Sequence, residues 1–178
     1  MKKTTVLIFL IIWTYSCGIA QNDYTTIFIV RHAEKDLSDV KNQDPNLSVE
    51  GNIRADDLVL KLNNERLDAI FATKYRRTTQ TASSIAERNK LVIQTYDGHA
   101  FKETSDLIKS KYTNKKILIV GHSNTVLELI ESFGAPRPLA VLSDEDYDFL
   151  FEIKIDNKGK AILNTSQYGR PHRESSIK

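Results

Sequence analysis

Cysteine is nearly missing from this chain of 178 residues: Cys17 is the only one. A single thiol excludes a disulfide framework and any zinc site built on paired cysteines. Glycine and proline are scarce, at 7 and 4 residues, and no linker, low-complexity tract or internal repeat divides the sequence. Charge of one sign is lacking too. The 25 basic and 23 acidic side chains are interleaved along the whole chain, which argues against a nucleic-acid-binding patch. The strongest apolar run, Val6 to Trp13, falls far short of the roughly 20 residues a membrane span needs. No membrane span is therefore expected.

That run follows Lys2 and Lys3 and precedes small residues, with Gly18 and Ala20 three and one positions before Gln21. The pattern is that of a secretory signal peptide, residues 1–20, cleaved after Ala20. A cut before Cys17 would instead produce a lipoprotein, anchored by a lipid on that cysteine. The expected location is thus exported, periplasmic or secreted. Residues 1–20 carry two lysines and no acid, so the exported chain is close to neutral. About 158 residues suffice for one domain with a proper core.

Short apolar runs at Ile27 to Val30, Ala69 to Ala72, Leu91 to Thr95 and Ile117 to Val120 alternate with segments of helical spacing. Those segments are Ile53 to Asn63, Thr78 to Arg88, Thr104 to Lys111 and Thr125 to Phe133. Alternation of this kind predicts an α/β fold, a mainly parallel sheet with helices on both faces. Phe149 to Ile155, then Asp156-Asn157-Lys158-Gly159, then Ala161 to Leu163 predict a C-terminal antiparallel hairpin. The domain is expected to span 21–164, with a polar, frayed tail over 165–178. Asp36 to Ser48 reads as a loop at a strand's carboxyl end, where such sheets bind ligands, and Ser48 as the cap of the next helix.

The chemistry-bearing residues sit at strand ends. Arg31-His32 closes the first strand, Gly121-His122 closes the fourth, and Arg77-Thr78-Thr79-Gln80-Thr81-Ala82 lies between them. A neutral imidazole is a good nucleophile toward phosphorus. Guanidinium groups offer a fixed fork of donors for the equatorial oxygens of a transferring phosphoryl group. Phosphoryl transfer asks mainly for positioning and charge stabilisation, which Arg31, Arg77 and a second histidine can supply with no cofactor and no metal.

In these motifs the chain resembles the histidine phosphatase superfamily, also called phosphoglycerate-mutase-like. Arg31-His32-Ala33-Glu34 is similar to its Arg-His-Gly signature, with Ala33 in the glycine's place. Ala72 to Ala82 is similar to its Ser-Ser-Pro-Leu-x-Arg-Ala-x-Gln-Thr-Ala segment, Gly121 to Thr125 to its second-histidine motif, and Leu47-Ser48-Val49-Glu50-Gly51 to its Leu-Thr-x-x-Gly helix start. The resemblance implies a phosphoric monoester hydrolase in which His32 becomes phosphorylated, Arg31 and Arg77 hold the phosphoryl oxygens and His122 binds and neutralises the transferred group. Counting back from Gln80 puts Arg77 at the family position; a shift of one residue would favour Arg76. The substrate would be a phosphorylated small molecule or phosphohistidine.

The chain also departs from that pattern. The family's mutases and many of its phosphomonoesterases draw a proton-donating glutamate from an insert that is short here, leaving only Asp97, Glu103 and Asp106 nearby. The other branch places an aspartate after the second histidine, where this chain has Ser123. The general acid is unassigned. A good leaving group, such as phosphohistidine or an acyl phosphate, would need it less.

Three other readings compete. Gly121-His122-Ser123-Asn124-Thr125 begins like a nucleophile elbow and would make Ser123 the nucleophile of a secreted esterase, but Thr125 stands where that turn wants glycine. His32-Ala33-Glu34 has the His-x-Glu spacing of zinc deaminases without their cysteines. A phosphate-binding module without turnover would keep the pocket and need no acid. His99 and His172 read as structural or surface residues, with the loop of His99 within reach of the pocket; Tyr147-Asp148 could line the rim, a polar loop being the plainer account.

Overall fold

A computed structural model describes residues 23–171. The signal segment with Cys17, and His172, lie outside the described residues. Ten elements follow in chain order: β1 (Tyr24–Arg31), α1 (Val49–Lys61), β2 (Ala69–Ala72), α2 (Arg76–Asn89), β3 (Ile93–Thr95), α3 (Phe101–Lys111), β4 (Lys116–Gly121), α4 (Val126–Ser132), β5 (Phe149–Asp156) and β6 (Ala161–Gln167). The strands form one sheet in the order β3-β2-β4-β1-β5-β6. The pairs among β1 to β4 are parallel, whereas β5 and β6 add an antiparallel edge. This is the α/β architecture that the alternating pattern predicts.

Alternation along β1 shows why both faces are covered. Ile27 and Ile29 join a core with Ile108, Val126 and Ile130 of α3 and α4. Phe28 and Val30 point the other way, into a core with Leu58 and Leu62 of the α1 region and Ile85 of α2. A strand in the middle of such a sheet buries both sets, so its sequence is apolar throughout.

The start of α1 is held by three local contacts. Ser48 Oγ accepts from the Gly51 N–H at 3.1 Å, as a cap should. The Ser48 N–H donates to the Glu34 carbonyl at 2.9 Å. Gly51 lies so close that a Cβ there would fall 2.1 Å from the Glu34 oxygen, which is why the position tolerates only glycine. Arg54, one turn on, pairs with the Glu34 carboxylate at 2.7 Å. Glu34 is thereby a packing residue under α1.

The tail departs from expectation. β6 runs on to Gln167, and Tyr168 is buried. Arg54 donates to the carbonyls of Tyr168 and Arg170 at 3.2 and 3.0 Å. The segment after Leu163 is polar because β6 is an edge strand with one exposed face, not because it is frayed.

Candidate active site

Register brings the motifs together. β1 and β4 are parallel neighbours with Arg31 opposite Gly121, so the next residue of each, His32 and His122, leaves the same sheet edge side by side. The His32 N–H donates to the Gly121 carbonyl at 2.9 Å and extends the ladder by one step. The two imidazole rings lie 5.3 Å apart, close to the spacing of adjacent strands. β2 lies on the far side of β4 with Ala72 opposite Val120, which delivers Thr73 to His122. Gly121 leaves little room at the turn: a Cβ there would come within 3.0 Å of Tyr96 Oη and Val126 Cγ1.

His32 is buried, with 4 % of its surface exposed. Its Nδ1 lies 2.8 Å from the Ala33 carbonyl. A carbonyl only accepts, so Nδ1 carries the proton and Nε2 keeps its lone pair. Burial, reinforced by the charges of Arg31 and Arg77, lowers its pKa from 6.5 to about 3. His122 is lowered to about 4, first by burial and then by Arg77, Arg31 and His99. Both rings are therefore neutral at neutral pH.

Arg77 and Arg76 part company. The Arg77 guanidinium stacks 4.4 Å from the Tyr75 ring centroid, and its Nη2 approaches His122 Nδ1 at 3.4 Å. Arg76 faces solvent with 67 % of its side chain exposed. α2 sets this difference: the residue whose side chain points to the sheet edge is the one that also aligns with Thr81. Thr81 Oγ1 accepts from the Ala33 N–H at 2.9 Å, and Gln80 Oε1 accepts from the Leu47 N–H at 2.8 Å, so α2 pins both the first motif and the base of the Asp36 to Ser48 loop. That loop reaches the site through Asp44, 3.8 Å from Arg77 Nη1.

Arg31 is buried on the opposite flank. Its Nη1 donates to the Ser143 carbonyl at 2.8 Å, and its guanidinium carbon stacks 3.9 Å from the Tyr147 ring centroid. Nε is buried and has no hydrogen-bond partner among the described residues. An unpaired buried guanidinium donor is costly, and an anion would satisfy it. Burial lowers the Arg31 pKa against the pull of Tyr147 and Asp144, yet a guanidinium keeps its charge.

An open cleft of about 550 Å³ leads to this cluster, lined in part by Thr73, Tyr75, Arg77, His99 and His122. Of the three acids near the site, Asp97 lines the cleft. Glu103 and Asp106 lie exposed on α3, and Asp106 is paired with Lys102. His122 turns its ring nitrogens to Thr73 and Arg77. Among the described residues no three of His, Cys, Asp and Glu are grouped to hold a metal ion.

Thr73 and Tyr75 escaped the sequence reading as contributors. His99, read as structural or surface in a loop within reach of the pocket, lines the cleft. Tyr147, weighed for the rim but read more plainly as a polar loop, packs its ring 6.0 Å from that of His32. A tyrosine set in the acidic run Ser143-Asp144-Glu145-Asp146 was the one visible sign.

Fold and site together set two histidines and two arginines at one edge of a doubly covered α/β sheet, an arrangement able to hold a phosphoryl group. The family model of the histidine phosphatase superfamily, branch 1, matches residues 27–105. Over those residues the chain is similar to that superfamily. Its fold is similar to that of the protein histidine phosphatase SixA solved with tungstate, at TM-score 0.63 and 14 % identity over 80 % of this chain and 97 % of that one. A mycobacterial glucosyl-3-phosphoglycerate phosphatase matches at TM-score 0.65 and 13 % identity, over 82 % and 100 % of the two chains. A putative alpha-ribazole-5'-P phosphatase from Escherichia coli matches at 0.62 and 16 %, over 80 % and 96 %. No curated protein sequence matches significantly.

Proposed function

We propose that this protein is a metal-independent phosphatase that hydrolyses a phosphomonoester or phosphohistidine through a phosphohistidine intermediate on His32. The observation that carries the reading is the buried, neutral His32, whose Nε2 lone pair is free because Nδ1–H is held by the Ala33 carbonyl. In the first step Nε2 attacks phosphorus and the bond to the leaving group breaks. In the second, water attacks phosphorus, the P–N bond breaks, inorganic phosphate leaves and the neutral imidazole returns. Arg31 and Arg77 stabilise the equatorial oxygens throughout.

Asp97 in the cleft and Asp44 beside Arg77 are carboxylates at the site; a substrate whose leaving group departs without strong protonation, phosphohistidine among them, would need neither as an acid. The match of residues 27–105 to the superfamily's model and the activities named for the structural neighbours support a phosphatase. Export rests on the N-terminal sequence: we assign the protein to the periplasm or the exterior, with the segment before Gln21 removed or with Cys17 lipidated.

The test is phosphate release from p-nitrophenyl phosphate and phosphohistidine by wild type and His32→Ala, with chelator present. The wild type is expected to turn over and the variant to lose roughly a thousandfold or more. A variant of undiminished rate sinks the assignment. The clasp of Ser143 on Arg31 favours a second reading, a phosphate-binding module, and vanadate binding without turnover of any substrate would select it.

A further inference from the structure

Behind His122 lies a chain of hydroxyls whose direction is fixed at both ends. His122 Nε2 is 2.8 Å from Thr73 Oγ1, and Thr73 Oγ1 is 2.9 Å from Thr78 Oγ1. Thr78 Oγ1 in turn lies 2.7 Å from the Tyr75 carbonyl and 3.0 Å from the Thr73 carbonyl. Carbonyls only accept, so the Thr78 proton points at them. Thr78 must then accept from Thr73, and Thr73 has only a lone pair left for His122. Nε2 is thus the protonated nitrogen. The other end agrees independently: Arg77 Nη2 faces Nδ1 at 3.4 Å, and a guanidinium can only donate, so Nδ1 is the acceptor. Both threonines are buried, Thr73 at 3 % exposure and Thr78 at 0 %, so little water competes for these bonds.

We propose that Thr73, backed by Thr78, is a positioning residue that locks His122 as its Nε2–H tautomer and presents the Nδ1 lone pair beside Arg77. The proposal deepens the phosphatase reading and rests on it for its catalytic consequence alone. A phosphoryl group arriving as a monoanion donates its P–OH hydrogen bond to the Nδ1 lone pair while Nε2–H stays on Thr73, so the neutral ring accepts from the substrate without rotating. The opposite tautomer would put two donors, Nδ1–H and the guanidinium, face to face.

Long-range proton–nitrogen NMR of the His122 ring at neutral pH, on wild type, T73V, T73S and T78V, tests the proposal beside steady-state kinetics. The wild type and T73S should show Nε2 protonated. T73V should populate both tautomers, with kcat down roughly tenfold, KM little changed and near-wild-type turnover regained in T73S. In T78V the Thr73 hydroxyl is free to donate to Nε2, so the population should shift toward Nδ1–H. A wild type protonated at Nδ1 overturns the proposal, as does T73V with an unchanged tautomer and a raised KM, which would make Thr73 a substrate contact. If T73V fails to fold, the wild-type and T78V spectra decide. An Nε2–H signature in a protein that turns over no phosphoryl substrate would leave the relay standing and remove the phosphatase reading.

Discussion

Arg77 and Arg76 are adjacent and chemically identical, yet one is aimed at His122 and the other at solvent. Arg77→Ala should cut turnover by about 10²- to 10³-fold, because it removes charge stabilisation from the transition state. Arg76→Ala should change it by no more than about twofold, as exposed substitutions do. Parallel kinetics of the two variants checks both. His32, the proposed nucleophile, makes a second prediction at this scale. Its pKa of about 3, and that of about 4 for His122, keep both imidazoles neutral well below the ordinary 6.5. The acid limb of kcat/KM should therefore lie near pH 4 or below, and a limb near 6.5 would contradict the desolvated environment of His32.

Helix α1 is tied to the first motif through Glu34, and here the effects are on stability. Gly51→Ala forces a Cβ against the Glu34 carbonyl, where it would sit at 2.1 Å. Something in the backbone must move, at a cost of about 1–3 kcal/mol. Arg54→Met removes the partner of a carboxylate that is only 13 % exposed and should cost about 3 kcal/mol. The hydrogen bond and charge of Glu34 outweigh burial and raise the Arg54 pKa, consistent with a pair that favours both charges. Denaturant unfolding of each variant measures these losses. A functional Glu34 would instead show as lost turnover at unchanged stability.

For the whole molecule the histidine pair sets a pH dependence of stability. Both histidines have folded pKa values below the unfolded 6.5. Above pH 6.5 neither state is charged there; as pH falls, the unfolded chain takes up protons that the folded one refuses. Their contribution to stability is thus present above about 6.5 and lost progressively toward pH 4 and 3. Thermal midpoints should drop from pH 7 to 5, and less steeply in His32→Gln/His122→Gln. The C-terminal segment is equally global. Ending the chain after Asn164 cuts β6 and removes Tyr168, whose burial and contacts with Arg54 join the sheet edge to α1. That truncation should lower the thermal midpoint.

The sequence by itself determined the α/β fold, the covered faces of the sheet and the strand ends that carry Arg31-His32 and Gly121-His122. These follow from periodicity and from short motifs, which are local properties of a chain. It also pointed to Arg77, by counting from Gln80, and left Arg76 as its rival. Only the tertiary structure decided the rest. The strand order set β4 between β1 and β2, which brought Thr73 to His122 from the neighbouring strand. The return of the chain before β5 laid Tyr147 on Arg31, and α2 chose between the two arginines. Such contacts join residues dozens of positions apart, and threonine and tyrosine carry no mark of them in sequence, because a hydroxyl's role depends on what lies within about 3 Å of it.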